Sequence, residues 1–193
     1  MKKLLLCVLI AFVTISNAQK NTFLLQGNIN YNTQKEYSGS DSSRNYFGFS
    51  PKIGYQFNSN WTLGTESSFF NSKESYSNGE FTNKQFSIGP FIRYSKPLSD
   101  LFTFYCDLGI GYQEYKTLQI NQTTIINDIY SNGYYSSFTP AVLMNIGKGF
   151  GLNFNLGGIR YSQNNNNTSP NGKSNFNFNF GNYFAVGISK NFK

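Results

Sequence analysis

The chain contains no histidine among its 193 residues. That absence removes every mechanism that needs an imidazole base, from serine triads to His-ligated zinc. Charge is scarce too, at 13% Asp, Glu, Lys and Arg, against about 25% in an average soluble domain. Cysteine is limited to Cys7 and Cys106. Mean hydropathy is −0.40, and no apolar run reaches the roughly 20 residues of a spanning helix, so a helical membrane protein is excluded. What the chain does hold is aromatics: 18% of the total, with 20 Phe and 14 Tyr. A disordered chain would be short of them.

The N-terminus reads as an address. Residues 1–18 are MKKLLLCVLIAFVTISNA, with basic Lys2 and Lys3, a 12-residue apolar stretch, then the small residues Ser16 and Ala18 at −3 and −1 of a cleavage site. This is the layout of a secretory signal peptide. Its expected removal leaves one domain, residues 19–193, and lowers the net charge of +7 by the two lysines. Cys7 leaves with it, and Cys106 alone cannot form an internal disulfide. No cysteine follows the cleavage site, so a lipoprotein is not expected.

Period-two alternation runs through the rest. Residues 46–57 place Phe47, Phe49, Pro51, Ile53, Tyr55 and Phe57 on one face, with Gly48, Ser50, Lys52, Gly54 and Gln56 on the other. Residues 86–94 and 102–112 repeat the pattern, as do segments opening at Phe23, Trp61, Phe138, Phe150 and Phe176. That makes eight strands. A soluble sandwich would also alternate. These strands, however, run to roughly 10–14 residues against a usual 5–6, and a tilted strand crossing a bilayer needs about 9–11. Connections also alternate in length. Short turns fall at 58–60, 96–100 and 147–149, and long polar segments at 33–43, 71–80, 117–132 and 162–175. The expected fold is all-β: an eight-stranded antiparallel up-and-down transmembrane β-barrel with short periplasmic turns and long external loops. Hydrocarbon offers no partner to a backbone amide, so a spanning sheet must close on itself. The apolar face then looks out at lipid. Aromatics near both strand ends suit two interfacial girdles.

Pro51, Pro90 and Pro140 lie on the apolar parity and are expected at bulges or strand ends, since proline removes a ladder donor. The 117–137 segment, with Ile120, Ile125, Ile126 and Ile129, reads either as a solvated loop or as a hairpin that extends strands five and six towards a partner.

Four charges share the inward parity on four consecutive strands: Lys52, Glu66, Arg93 and Asp107. Lys52 and Glu66 are each seven residues from Ser59, so they should face each other across the hairpin. Charges inside a narrow barrel must pair or stay solvated. Two readings follow: a plug built on a Lys52–Glu66 pair extended by Arg93 and Asp107, or separate side chains in a wet lumen.

The last strand runs Phe184, Val186, Ile188 and a near-terminal Phe192 on one parity. It resembles the C-terminal assembly strand of outer-membrane barrels, although Lys193 follows the aromatic. Taken with the leader and eight strands, the chain resembles the outer-membrane protein β-barrel domain family, which includes the small OmpX- and OmpA-type barrels. The resemblance implies residence in a Gram-negative outer membrane among its lipids, including lipopolysaccharide, and insertion by the barrel assembly machinery. Enzymes resembling such barrels use an active-site histidine, which is missing here. Gly147-Lys148-Gly149-Phe150-Gly151 lacks phosphate-loop spacing and a following helix, and reads as a hairpin turn. No catalytic residue, cofactor or metal is expected. Basic residues are scattered, so nucleic acid is not an expected partner. Three functions remain: a non-enzymatic barrel acting through external loops in adhesion, surface interaction or envelope integrity; a narrow conduit for ions or small apolar molecules; and a soluble periplasmic ligand-binding barrel with reversed faces.

Overall fold

The computed structural model describes residues 21–36, 42–121, 124–166 and 169–192, with no side-chain description for 36, 169–171 and 182–184. The expected signal peptide and the side chain of Phe184 lie outside the described residues. Eight antiparallel strands close into a barrel in sequence order: β1 (Thr22–Glu36), β2 (Ser42–Gln56), β3 (Trp61–Tyr76), β4 (Gly79–Pro97), β5 (Phe102–Asn121), β6 (Thr124–Gly147), β7 (Phe150–Asn166) and β8 (Ser169–Phe192).

The oily face looks outward. Ile29, Ile53, Leu108 and Ile188 are all more than half exposed, at 70%, 60%, 54% and 60%. The interior is built instead from Phe91, Tyr105 and Tyr135 together with buried Arg93, Asp107, Gln113 and Asn153. A soluble barrel with reversed faces does not have this arrangement. Aromatics pair across strands on the outer surface, Phe23 with Tyr55 and Trp61 with Tyr94 at the short-turn end, Phe69 with Phe86 and Tyr112 with Tyr134 at the other.

The short turns are held by side chains. Asn58 Oδ1 accepts from the backbone N–H groups of Asn60 and Trp61, each at 2.8 Å. Ser99 Oγ accepts from Phe102 N at 3.1 Å. Gly147, Lys148 and Gly149 all take positive φ, the conformation a tight hairpin turn demands.

At the opposite end the structure differs from the expectation of long loops. β3 and β4 stay in register to Tyr76↔Gly79, and β5 and β6 stay paired to Asn121↔Thr124 with one register shift at Gln119/Ile120. The polar segments are therefore mostly paired strand. Beyond the lipid both faces meet water, so the alternation that marks a strand disappears while its hydrogen bonds persist.

Of the three prolines, Pro140 lies at a bulge as expected, and Pro51 and Pro90 differ. None sits at a strand end. Pro140 lies within a register shift between β6 and β7. Pro51 and Pro90 sit in one-sided ladder interruptions without any shift: Pro51 pairs with Gly27 and Pro90 with Thr65, while the β2–β3 ladder skips from Phe49 to Lys52 and the β4–β5 ladder from Ile88 to Phe91. A missing N–H on one side costs that side its bond and leaves the other intact.

The closing seam is short among the described residues. β1 pairs with β8 from Phe23↔Phe192 to Gly27↔Ile188, whereas β1 pairs with β2 along its whole length.

Candidate functional site

Turn geometry builds the interior from the sequence upward. The hairpin at 58–60 sets Lys52 opposite Glu66, and the one at 98–101 sets Arg93 opposite Asp107. Lys52 Nζ lies 2.7 Å from Glu66 Oε2 and 2.8 Å from Asp107 Oδ2. Arg93 grips Asp107 with two bonds, Nε to Oδ1 at 2.6 Å and Nη2 to Oδ2 at 2.9 Å. A forked guanidinium–carboxylate contact is among the stronger charge-assisted arrangements. The structure thus brings all four expected side chains into one connected group.

Other residues extend the group across the lumen. Arg93 Nη2 also donates to Gln26 Oε1 at 2.8 Å, and the Tyr105 hydroxyl donates to Asn153 Oδ1 at 3.0 Å. The guanidinium stacks on the Tyr105 ring, 3.8 Å from its centroid. Phe91 fills the space beside Lys52 and Arg93, and it fits because Gly64 faces it: a Cβ there would stand 2.8 Å from the ring. Phe91 is 1% exposed. The result is a polar and aromatic barrier across the barrel.

A second group sits on top. The Tyr135 hydroxyl donates to Glu66 Oε1 at 3.0 Å, Arg160 lies 4.0 Å from the Tyr135 ring centroid, and Arg160 Nη2 donates to Gln113 Oε1 at 2.8 Å. Sequence parity puts Arg160 on the oily face with Leu152 and Phe154. The structure turns it inward because β7 carries an extra residue between Asn155 and Ile159, where Gly157 has φ of +98°. A bulge reverses the facing of everything beyond it. The Gly157-Gly158 pair inside a strand was the available signal. Above this floor lies a cavity of about 600 Å³, lined by Asn, Ser and Thr side chains together with rings such as Tyr46, Phe69 and Phe70, and with Lys52, Glu66 and Arg160 as its charged members.

Val186, Ile188 and Phe192 of the terminal strand lie on the outer face, and Phe192 pairs with Phe23 at the seam. Among the described residues no group of three or more Cys, Asp and Glu could hold a metal ion.

A closed barrel with an apolar exterior and a salt-bridged polar interior defines a membrane barrel. The chain belongs to the outer membrane protein beta-barrel domain family, whose model matches residues 5–193. That membership places it in the outer membrane. Comparison with curated proteins finds no match. Among solved structures it is similar to Neisserial surface protein A, at 17% identity and TM-score 0.53, covering 90% of this chain and 100% of that one. Other similar structures are Ail, the attachment invasion locus protein of Yersinia pestis, solved with the heparin analogue sucrose octasulfate (16% identity, 90% and 100% coverage, TM-score 0.46), and the translocator domain of the autotransporter NalP from Neisseria meningitidis (15%, 95% and 73%, 0.46). At these identities the likeness is one of fold.

Proposed function

We propose that the protein is a non-enzymatic outer-membrane barrel that acts outside the cell through its strand-paired hairpins, in surface attachment or envelope integrity. The observation that carries this reading is the β5–β6 hairpin. It is the longest strand pair by sequence, and it presents Ile125 and Ile126 at 61% and 50% exposure near its tip, with Tyr130 and Tyr134 further down. Exposed apolar residues on a rigid, laddered edge form a surface for a protein partner. The barrier around Phe91, Arg93 and Asp107 opposes the conduit reading, because these side chains and Tyr105 are all buried at that level of the lumen. Lys52, Glu66, Arg93 and Asp107 are held there in ion pairs with one another, which supports a structural role for these charges. Outer-membrane lipids, lipopolysaccharide among them, surround the barrel in this reading, and the barrel assembly machinery inserts it through the strand ending at Phe192.

The test is attachment of cells displaying the protein to host-cell or matrix surfaces. Replacing Ile125 and Ile126 with Ser should abolish attachment while surface display, scored by antibody, stays unchanged. Attachment equal to wild type would sink the assignment to this hairpin. Steady, reproducible channels in a planar bilayer would instead favour the conduit.

A further inference from the structure

We infer that the cavity above the plug is a binding site for a hydroxylated anionic headgroup of the glycerophosphate type, reached sideways through the seam between β1 and β8. The charge inventory is the first ground. Lys52 and Glu66, on the cavity floor, are paired with each other. Arg160, the third charged residue lining the cavity, takes part in none of the ion pairs among the described residues. Its contacts are a neutral amide, Gln113, and a ring face, Tyr135. The cavity therefore carries one surplus positive charge, in a place where a charge gains from a partner. A guanidinium fork matches the oxygens of a phosphate.

The second ground is a pair of orphan acceptors. Asn28 Oδ1 and Asn179 Oδ1 are buried and have no hydrogen-bond partner. Both residues line the same cavity. Asn28 Oδ1 now lies against Gly187; a ligand meets these oxygens once the amides turn towards the cavity, and it must then bring donors, as hydroxyl groups do. Phosphate oxygens for Arg160 and hydroxyls for the two asparagines together describe a glycerophosphate or a similar polyol phosphate.

The third ground is access. Among the described residues the β1–β8 ladder runs only from Phe23↔Phe192 to Gly27↔Ile188, and β8 has three more residues than β7 between Ala185 and Phe180. Beyond that end, the cavity wall is made of Asn28 and Ile29 on one side and Ala185 and Val186 on the other. Ile29 and Val186 turn their side chains out to the bilayer. A lipid could place its headgroup inside at this seam while its acyl chains stay in the hydrocarbon. The volume, about 600 Å³, lies within the usual range of roughly 300–1,000 Å³ for small-molecule sites.

The same chemistry could arrive as a lipid or as a free solute, so the experiment has two arms. In one, the full barrel is reconstituted in nanodiscs of phosphatidylcholine containing phosphatidylglycerol, extracted into detergent, and its retained lipids are counted by native mass spectrometry. In the other, the detergent-solubilised barrel is titrated with sn-glycerol 3-phosphate by calorimetry. The expected result is selective retention of phosphatidylglycerol, falling about tenfold in Arg160→Gln, the loss of one charged hydrogen-bonding partner. Asn179→Asp, which adds a negative charge with little change of shape, should weaken retention as well. It stands in if Arg160→Gln fails the heat-shift test of folding. Binding of glycerol 3-phosphate alone, with the same dependence on Arg160, would support the site and reject the sideways route. Equal retention of both lipids with no binding of glycerol 3-phosphate would overturn the proposal, as would undiminished binding in folded Arg160→Gln.

Discussion

Replacing Asp107 by Asn tests whether the interior charges form a coupled plug. The substitution keeps the side-chain volume, so no cavity opens. It removes the carboxylate that accepts from Arg93 Nε at 2.6 Å, Arg93 Nη2 at 2.9 Å and Lys52 Nζ at 2.8 Å. Lys52 keeps Glu66, but Arg93, whose side chain is 5% exposed, loses its paired carboxylate and keeps only neutral amide oxygens, that of Gln26 and the one left at position 107. Breaking a buried pair from one side costs about 3–5 kcal/mol. The same pair in a wet lumen would behave like an exposed one, worth about 0–1 kcal/mol. Urea unfolding in lipid vesicles can separate these, because Trp61, the sole tryptophan, sits exposed on the outer face against Tyr94 and reports its own removal from lipid. With a slope of about 2 kcal/mol per molar urea, the midpoint should fall by on the order of 2 M. The double variant Asp107→Leu, Arg93→Met should recover much of the loss, because removing both charges leaves no buried charge unpaired, although Gln26 Oε1 loses its donor. A loss below about 1 kcal/mol in Asp107→Asn would refute the plug and favour solvated side chains.

Deleting Leu156 should abolish the β7 bulge and point Arg160 at lipid, so the chain should fail to give a heat-modifiable band on gels; a normally folded deletion would show that the facing of Arg160 is not set by the extra residue. Gly157→Ala forces a side chain into φ of +98°, at a cost of about 1–2 kcal/mol in the unfolding equilibrium; an unchanged midpoint would count against the bulge geometry. At the β3–β4 tip, Lys73 Nζ lies 2.7 Å from Glu80 Oε2, and that hydrogen bond holds the Glu80 carboxyl below its ordinary value. A lowered carboxyl pKa stabilises above the unfolded value and is lost as pH falls through the folded one. Amide exchange at 77–79 should therefore quicken on acidification below the ordinary carboxylate range, and Glu80→Gln should remove that pH dependence; a slope that survives the substitution would assign it elsewhere.

The barrel was legible because lipid imposes a strict rule. Where one face meets hydrocarbon and the other a filled lumen, every second residue must change character, and Phe49, Ile53 and Leu108 obey. Lys52 opposite Glu66 was legible for a local reason: a tight turn fixes register, and counting outward from Ser59 finds the partner. The rest depends on closure. Gln26 on β1 reaches Arg93 on β4, and Tyr105 on β5 reaches Asn153 on β7. Which residues meet across a lumen depends on stagger around the whole ring, and no single hairpin encodes that. Arg160 was hidden by a parity count that a bulge resets. The strand ends were hidden because outside the membrane Ser, Asn and Thr serve either face equally well.

The interior divides into a filled part and a hollow part, and the division follows the backbone. Gly27 is at once the last seam partner of Ile188 and the partner of Pro51, whose other side breaks the β2–β3 ladder. On the short-turn side of Gly27 the wall is continuous and Phe91, Arg93 and Asp107 fill the lumen. On the hairpin side, the single register shift that sets Pro140 of β6 against the bulge of β7, and the extra residues of β8, fall on adjoining strands. Each irregularity carries backbone groups out of the ladder, which hydrocarbon alone would not tolerate. They are tolerated here because that wall borders a polar cavity. Other register shifts lie elsewhere, at Gln119/Ile120, Asn145/Gly147 and Asn164/Asn166, but a barrel serving only as a stalk for its hairpins would have no need of these two beside an arginine without an ion pair. Their location therefore argues that the hollow half is kept open for an occupant, and it makes selective headgroup retention, lost with Arg160, the measurement that separates a stalk from a binding barrel.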